Sequence, residues 1–212
     1  MDSDTKKFLS SILKELSKID YVKPEDIPNI DLYMDQITTF MDAQLEASKR
    51  HADDKILTKT MINNYTKNNL LPPPEKKKYN KEHVLTLIFI YYFKNILSIS
   101  DIQHVLNPIT DQYFDADGAY NLEAIYKEVF SLEYSETKHI MHDLSKKFQT
   151  AMNTFADAGE AEADLLRTFS FICMLSYDVF VKKTIIEKLI DHTAMRAAEK
   201  NEKEKKEKDK KQ

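Results

Sequence analysis

The sequence predicts a mainly α-helical chain, and three observations predict it. Only two glycines, Gly118 and Gly159, occur in 212 residues. Leu, Ile, Lys and Glu, all tolerant of helix, are abundant. Apolar residues recur at intervals of three and four over most of the chain.

Taken in order, the elements are these. Residues 5–19 carry Phe8, Leu9, Ile12, Leu13, Leu16 and Ile19 at helical spacing, an amphipathic helix expected to cover the following domain. Pro24 and Pro28 punctuate a connector. Leu32, Tyr33, Ile37, Phe40, Met41 and Leu45 predict a helix from Leu32 to about Lys49. Thr58 suits an N-cap, starting a short helix through about Asn68. Pro72, Pro73 and Pro74 must be extended, because proline has no N–H and restricts the residue before it. Asn80 caps a helix over 81–96 that is apolar on nearly every side and therefore belongs in a core. A short helix follows around Asp101–Leu106, ended by Pro108. Three further helices are expected near 121–133, 136–157 and 160–198, forming a helical bundle within one chain or across two. Residues 199–212 contain only charged and amide side chains, so the tail cannot bury surface and is expected to be disordered or a frayed helix end.

Composition excludes several classes of function. A phosphate-cradling loop needs clustered glycines, and Gly118 and Gly159 lie far apart. The single cysteine, Cys173, rules out an intramolecular disulfide and a thiolate zinc cluster, and its apolar surroundings predict a small buried residue. The first residues lack the order of a signal peptide, and no apolar run reaches membrane-spanning length, so no membrane association and a cytoplasmic location are expected. Glu136, His139, His142 and Asp143 share a helical face, but nothing nearby completes a metal site. Asp115-Ala116-Asp117-Gly118 fails as a calcium loop, because Tyr113 and Ala124 fall at the first and last ligand positions. No converging set of catalytic groups can be nominated, so neither an enzyme nor a cofactor is expected.

Charge is placed unevenly. The chain carries a net −4, yet between Lys55 and Lys81 there are seven lysines and one acid, Glu75. A local basic patch on an acidic chain is an electrostatic footprint for a polyanion. Within that stretch the helix from Thr58 has an apolar stripe of Met61, Ile62 and Tyr65. Its opposite stripe holds Lys59, Thr60, Asn63, Asn64 and Lys67. Asparagine can bond adenine through two hydrogen bonds, and lysine can reach guanine or phosphate. Lys76, Lys77, Lys78 and Tyr79 follow the prolines as a small hairpin or extended wing suited to the phosphate backbone.

Three blocks in this order, Ile62–Pro73, Tyr79–Ile90 and Leu97–Leu106, resemble the MerR-type winged helix-turn-helix domain. In that family a recognition helix ends in a Tyr-x-x-x-Gly-Leu-Leu-x-Pro turn, followed by a basic wing, a hydrophobic helix and a Ser-Leu-x-Glu-Ile helix. The stretch Leu32–Leu106 is more closely similar to an uncharacterised bacterial family with a MerR-like domain. Asn63-Asn64 stands where the family has Arg-Tyr. Asn69 stands where it has the turn glycine.

The resemblance implies a mainly α protein. Residues 1–29 would be an N-terminal helix and connector, and 30–107 a MerR-like winged helix. Residues 108–198 would form a helical dimerisation or effector region. It implies a homodimeric regulator of transcription bound to double-stranded DNA, with an unidentified effector. A module that keeps the winged helix only for protein–protein contact is the alternative expectation.

Overall fold

The computed structural model describes residues 7, 10–12, 14 and 21–209, with side chains except at 133–135, 137, 138, 200, 201 and 203–209. The expected helix over 5–19 falls largely outside this set; its described positions are helical. The protein is mainly helical with one small two-stranded sheet. In order come β1 (Leu32–Tyr33), α1 (Met34–Gln44), α2 (Lys59–Lys67), β2 (Lys78–Tyr79), α3 (Lys81–Phe93), α4 (Ile99–Tyr113), α5 (Leu122–Met152) and α6 (Glu160–Asp209). Short 3₁₀ turns cover Pro24–Asp26 and Glu46–Ser48.

α3 is the centre of the core. Nine successive residues, His83 to Tyr91, are buried, so every side of the helix meets protein. Asn80 caps it as expected: its Oδ1 accepts the His83 backbone N–H at 3.1 Å, and its own N–H donates to His83 Nδ1 at 3.2 Å. α1 contributes Ile37 and Met41 to the core, α2 contributes Ile62 and Tyr65, and α4 contributes Ile102 and Leu106.

The core runs past the expected boundary at 107. Leu122, Tyr126 and Phe130 on the first turns of α5 are fully enclosed, and Tyr126 donates its hydroxyl to the Val22 carbonyl at 2.7 Å. Tyr126, Phe130 and Phe89 pack ring on ring with centroids 4.4–5.5 Å apart. Residues 22–27 and the start of α5 therefore belong to the same packed unit as α1–α4.

Three expectations are corrected. Leu32 and Tyr33 start a strand and not a helix, because they pair antiparallel with Tyr79 and Lys78, a long-range partner that periodicity cannot register. Pro108 does not end α4. The helix continues to Tyr113, held by buried Ile102 and Leu106 before the proline and Thr110 after it. The break expected near 134 is absent, and 122–152 forms one helix, α5, followed by the single helix α6. Positions 199–209, expected to be disordered or a frayed helix end, are the end of α6; 210–212 lie outside the described residues. The bundle expected from three helices is thus, among the described residues, a two-helix hairpin.

α5 and α6 are joined at 153–159, where Phe155 is left-handed and Arg167 Nε donates back to the Thr154 carbonyl at 3.0 Å. Phe148 meets Phe171 edge to face at 5.4 Å, and Lys147 bridges Asp143 and Asp178 across the pair. Beyond its middle α6 also packs against α4, and Ile190 is buried in the core.

Candidate nucleic-acid interface

α2 is built as a local sequence reading expects. Thr58 Oγ1 accepts the Met61 N–H at 3.2 Å, which fixes the first turn. Ile62 and Tyr65 are buried beneath the helix, so the opposite stripe is forced outward. Lys59, Thr60, Asn63, Asn64 and Lys67 are all exposed on it. The helix ends at Asn69, whose φ of 53° is the left-handed conformation that asparagine tolerates. The Leu70 N–H then returns to the Tyr65 carbonyl at 2.8 Å, and Leu70 and Leu71 drop into the core. Gln103 on α4 donates to the Asn68 carbonyl, tying that end of α2 in place.

The segment after the prolines is a hairpin. Lys78 N–H donates to the Glu75 carbonyl at 2.8 Å, and the two residues between them, Lys76 and Lys77, have φ of 50° and 66°. Two successive left-handed residues match the twist of a two-residue hairpin, a position that usually demands Asn-Gly. For lysine the conformation costs roughly 1–2 kcal/mol per residue. Both lysine side chains are exposed at the tip.

Strand alternation then separates Lys78 from Tyr79. Lys78 faces out, with its ammonium 5.7 Å from the ring of Tyr33. Tyr79, expected on the surface with the lysines, is only 3% exposed and stands edge-on to His83 at 5.4 Å. Burial raises its phenol pKa. Tyr79 is a core residue that anchors the hairpin, which leaves Lys76, Lys77 and Lys78 as its exposed side chains.

The wing and α2 share one face of the molecule, and β1 and the start of α1 connect them. Tyr33 lies under Lys78, and Asp35, two residues on, forms an ion pair with Lys59 of α2. Tyr33 is held by its N–H, which donates to Gln36 Oε1 at 2.8 Å in the first turn of α1. Sequence reasoning missed both contacts, because it read 32–35 as helix. The only local signal was the β-favouring Tyr33, too little to identify a strand without its partner.

The patch is less uniformly basic than the sequence count suggests. Lys59 is held by Asp35, Lys81 meets Glu123 at 2.9 Å, and Lys76 lies 3.8 Å from Glu75. A groove of about 730 Å³ beside α2 is lined by Lys55 and Lys59 but also by Asp42 and Glu46.

The other candidate groups do not converge. No group of three or more His, Cys, Asp or Glu side chains is placed to hold a metal among the described residues. The Asp115 loop is occupied by protein. Asp115 Oδ1 accepts from Asn80 Nδ2 at 3.0 Å, its N–H donates to Glu82, and Asn121 caps α5 by accepting the Ala124 N–H at 2.8 Å. Cys173, expected to be buried, is exposed on α6. No helix among the described residues is long and apolar enough to cross a membrane.

Comparison with known proteins gives one match. No curated protein and no solved structure matches the chain. A family model matches residues 22–129. The match begins at Val22, whose carbonyl receives Tyr126, and ends inside α5 one residue before Phe130. It therefore coincides closely with the packed unit and leaves out the hairpin. The chain belongs to the family described as a domain of unknown function, DUF1836.

Proposed function

We propose that residues 30–107 form a winged helix-turn-helix that binds double-stranded DNA with sequence preference, and that the protein regulates transcription. The supporting observation is the common face. An acid-free helix stripe and a three-lysine hairpin tip are held on one side of the molecule by the adjacent contacts of Tyr33 and Asp35.

In this reading α2 enters the major groove, whose width admits one helix. Asn63 and Asn64 face the base edges, where a carboxamide pairs with adenine as both acceptor and donor. Lys59 and Lys67, at the two ends of the stripe, reach phosphates or guanine. Lys76, Lys77 and Lys78 lie on the backbone, fixing register without reading sequence. The strained hairpin tip supports the same reading. Two lysines occupy a turn where Asn-Gly would be less costly, and conformational strain of this kind concentrates at functional positions.

The test uses duplexes selected from genomic fragments by the purified protein, alongside random duplexes. Reversing charge at Lys76, Lys77 and Lys78 should weaken binding to both sets. Changing Asn63 and Asn64 to alanine should weaken only the selected set, by about 1–3 kcal/mol for each asparagine–adenine pairing removed. Equal weakening on both sets from the asparagine changes would remove α2 from the major groove. Absence of binding by the unaltered protein to either set would favour the reading as a protein-interaction module.

A further inference from the structure

Alternation decides which side chains of the small sheet reach solvent. Leu32 and Tyr79 are partners in the antiparallel register, and both turn into the core, at 5% and 3% exposure. Tyr33 and Lys78 are the other pair, so their side chains lie side by side on the outer surface. The Lys78 ammonium stands 5.7 Å from the centre of the Tyr33 ring, and Tyr33 is 55% exposed. A tyrosine left open beside a lysine offers apolar area and a polar tip, and few rotatable bonds have to be fixed when it makes a contact.

Tyr33 is also held in place from both sides. Pairing with β2 fixes its backbone, and its N–H donates to Gln36 Oε1 at 2.8 Å in the first turn of α1. Two residues on, Asp35 holds Lys59 of α2. Tyr33 is thus the link between the lysines of the hairpin tip and the outward stripe of α2. The sequence pattern gave the aromatic contact of the wing to Tyr79. The strand register turns Tyr79 inward and presents Tyr33, on the neighbouring strand, in its place.

We propose that Tyr33 is a further DNA-contacting residue: its ring packs against the deoxyribose beside the phosphate that Lys78 reaches, and its hydroxyl donates to the phosphate backbone. The inference rests on the reading of this face as a DNA-binding surface. Tyrosine hydroxyls are ordinary donors to phosphate oxygens, and such contacts set register without reading bases. The contact is neutral and displaces no counterion. It adds affinity without adding to the salt dependence that the lysines produce.

The experiment uses the full chain and fluorescence anisotropy with selected and random duplexes over a range of salt. Tyr33→Phe keeps the ring and removes only the hydroxyl, so thermal unfolding should be unchanged. Affinity should fall by roughly three- to tenfold, by the same factor for both sets of duplexes, with the salt slope unchanged. Lys78→Ala, by contrast, should make the slope shallower by about 0.9. Direct contact is read by placing p-benzoylphenylalanine at position 33, which should crosslink to bound duplex on irradiation. The same group in place of Tyr177, 67% exposed on α6, should not. If the unaltered protein binds DNA, while Tyr33→Phe binds both sets equally well and position 33 gives no crosslink, the contact is overturned and the DNA-binding reading stands. A loss with a shallower slope assigns the effect to a displaced Lys78 and overturns the direct contact, as does equal crosslinking from positions 33 and 177. No binding by the unaltered protein removes the DNA-binding reading and this inference with it.

Discussion

The packed unit over residues 22–130 and the helical hairpin beyond it use similar side chains to opposite effect. In α3 every apolar residue from Val84 to Ile90 is covered, and the polar face of the unit is left to α2 and the wing. In α6, Leu165, Phe169, Ile172 and Phe180 point outward. Two helices can bury only the strip where they touch. A helix with apolar residues on two sides needs a third neighbour. The first region covers its apolar residues within one chain, whereas the second leaves an apolar face of α6 exposed. Burial, not residue type, decides what each isoleucine contributes.

The sharpest way to break that comparison is to make the same change in both regions. Ile88, fully buried in α3, should lose about 2–5 kcal/mol of folding stability on substitution by alanine, measured by denaturant unfolding. Ile172→Ala, at a residue 54% exposed, should leave folding stability almost unchanged. Equal stability losses at the two positions would mean that the outer face of α6 is covered within one chain.

Acid should act on the packed unit next. His83 is 4% exposed, and burial holds its pKa below the ordinary value near 6.5. The folded state therefore binds fewer protons at this site than the unfolded chain does. Its contribution is present above pH 6.5 and is lost as pH falls from about 6.5 toward the lowered folded value. His83→Gln should flatten that part of the profile in unfolding experiments between about pH 7.5 and 5.5. An unchanged profile would assign the acid sensitivity elsewhere, and not to the half-buried Glu82: burial raises its carboxyl pKa, so protonation there favours the folded state as pH falls.

The hairpin tip offers a change with opposite effects on stability and binding. Replacing Lys76-Lys77 by Asn-Gly relieves two left-handed lysines and should raise stability by on the order of 1 kcal/mol. It also removes two charges, so DNA affinity should fall and its salt dependence become shallower by about two ions. Stability and affinity moving together would contradict the placement of these residues in a strained functional turn. The smallest expected effect is at Asp35. Asp35→Asn frees Lys59 and removes a negative charge from the shared face, so affinity for any duplex should rise a few-fold, in keeping with the modest strength of an exposed ion pair. Weaker binding would show that Asp35 positions Lys59 for contact.

What was legible in the sequence was whatever is decided locally. Thr58 and Asn80 were readable as caps because a cap needs only its own side chain and the amide three residues on. Asn69 was placed at the turn through the resemblance, where it stands for the family's glycine, and its left-handed φ agrees. The outward stripe of α2 followed from which residues had to face inward. The misses all depend on distant partners. β1 exists because β2 is beside it, and Pro108 stays helical because the packing on both sides of it holds. Tyr79 turns inward because Lys78 occupies the outward position of its strand. Cys173 carried an apolar context that predicts burial. Periodicity marks a face as apolar but does not say whether this chain supplies its cover.

DNA binding is tested most directly by fluorescence anisotropy of the full protein with selected and random duplexes across a range of salt. The predicted result is tighter binding to selected duplexes, with log affinity falling linearly in log salt at a slope of roughly −0.9 for each phosphate contacted. No binding to either duplex at low salt would contradict it, and the shared face of α2 and the wing would then have to serve a protein partner.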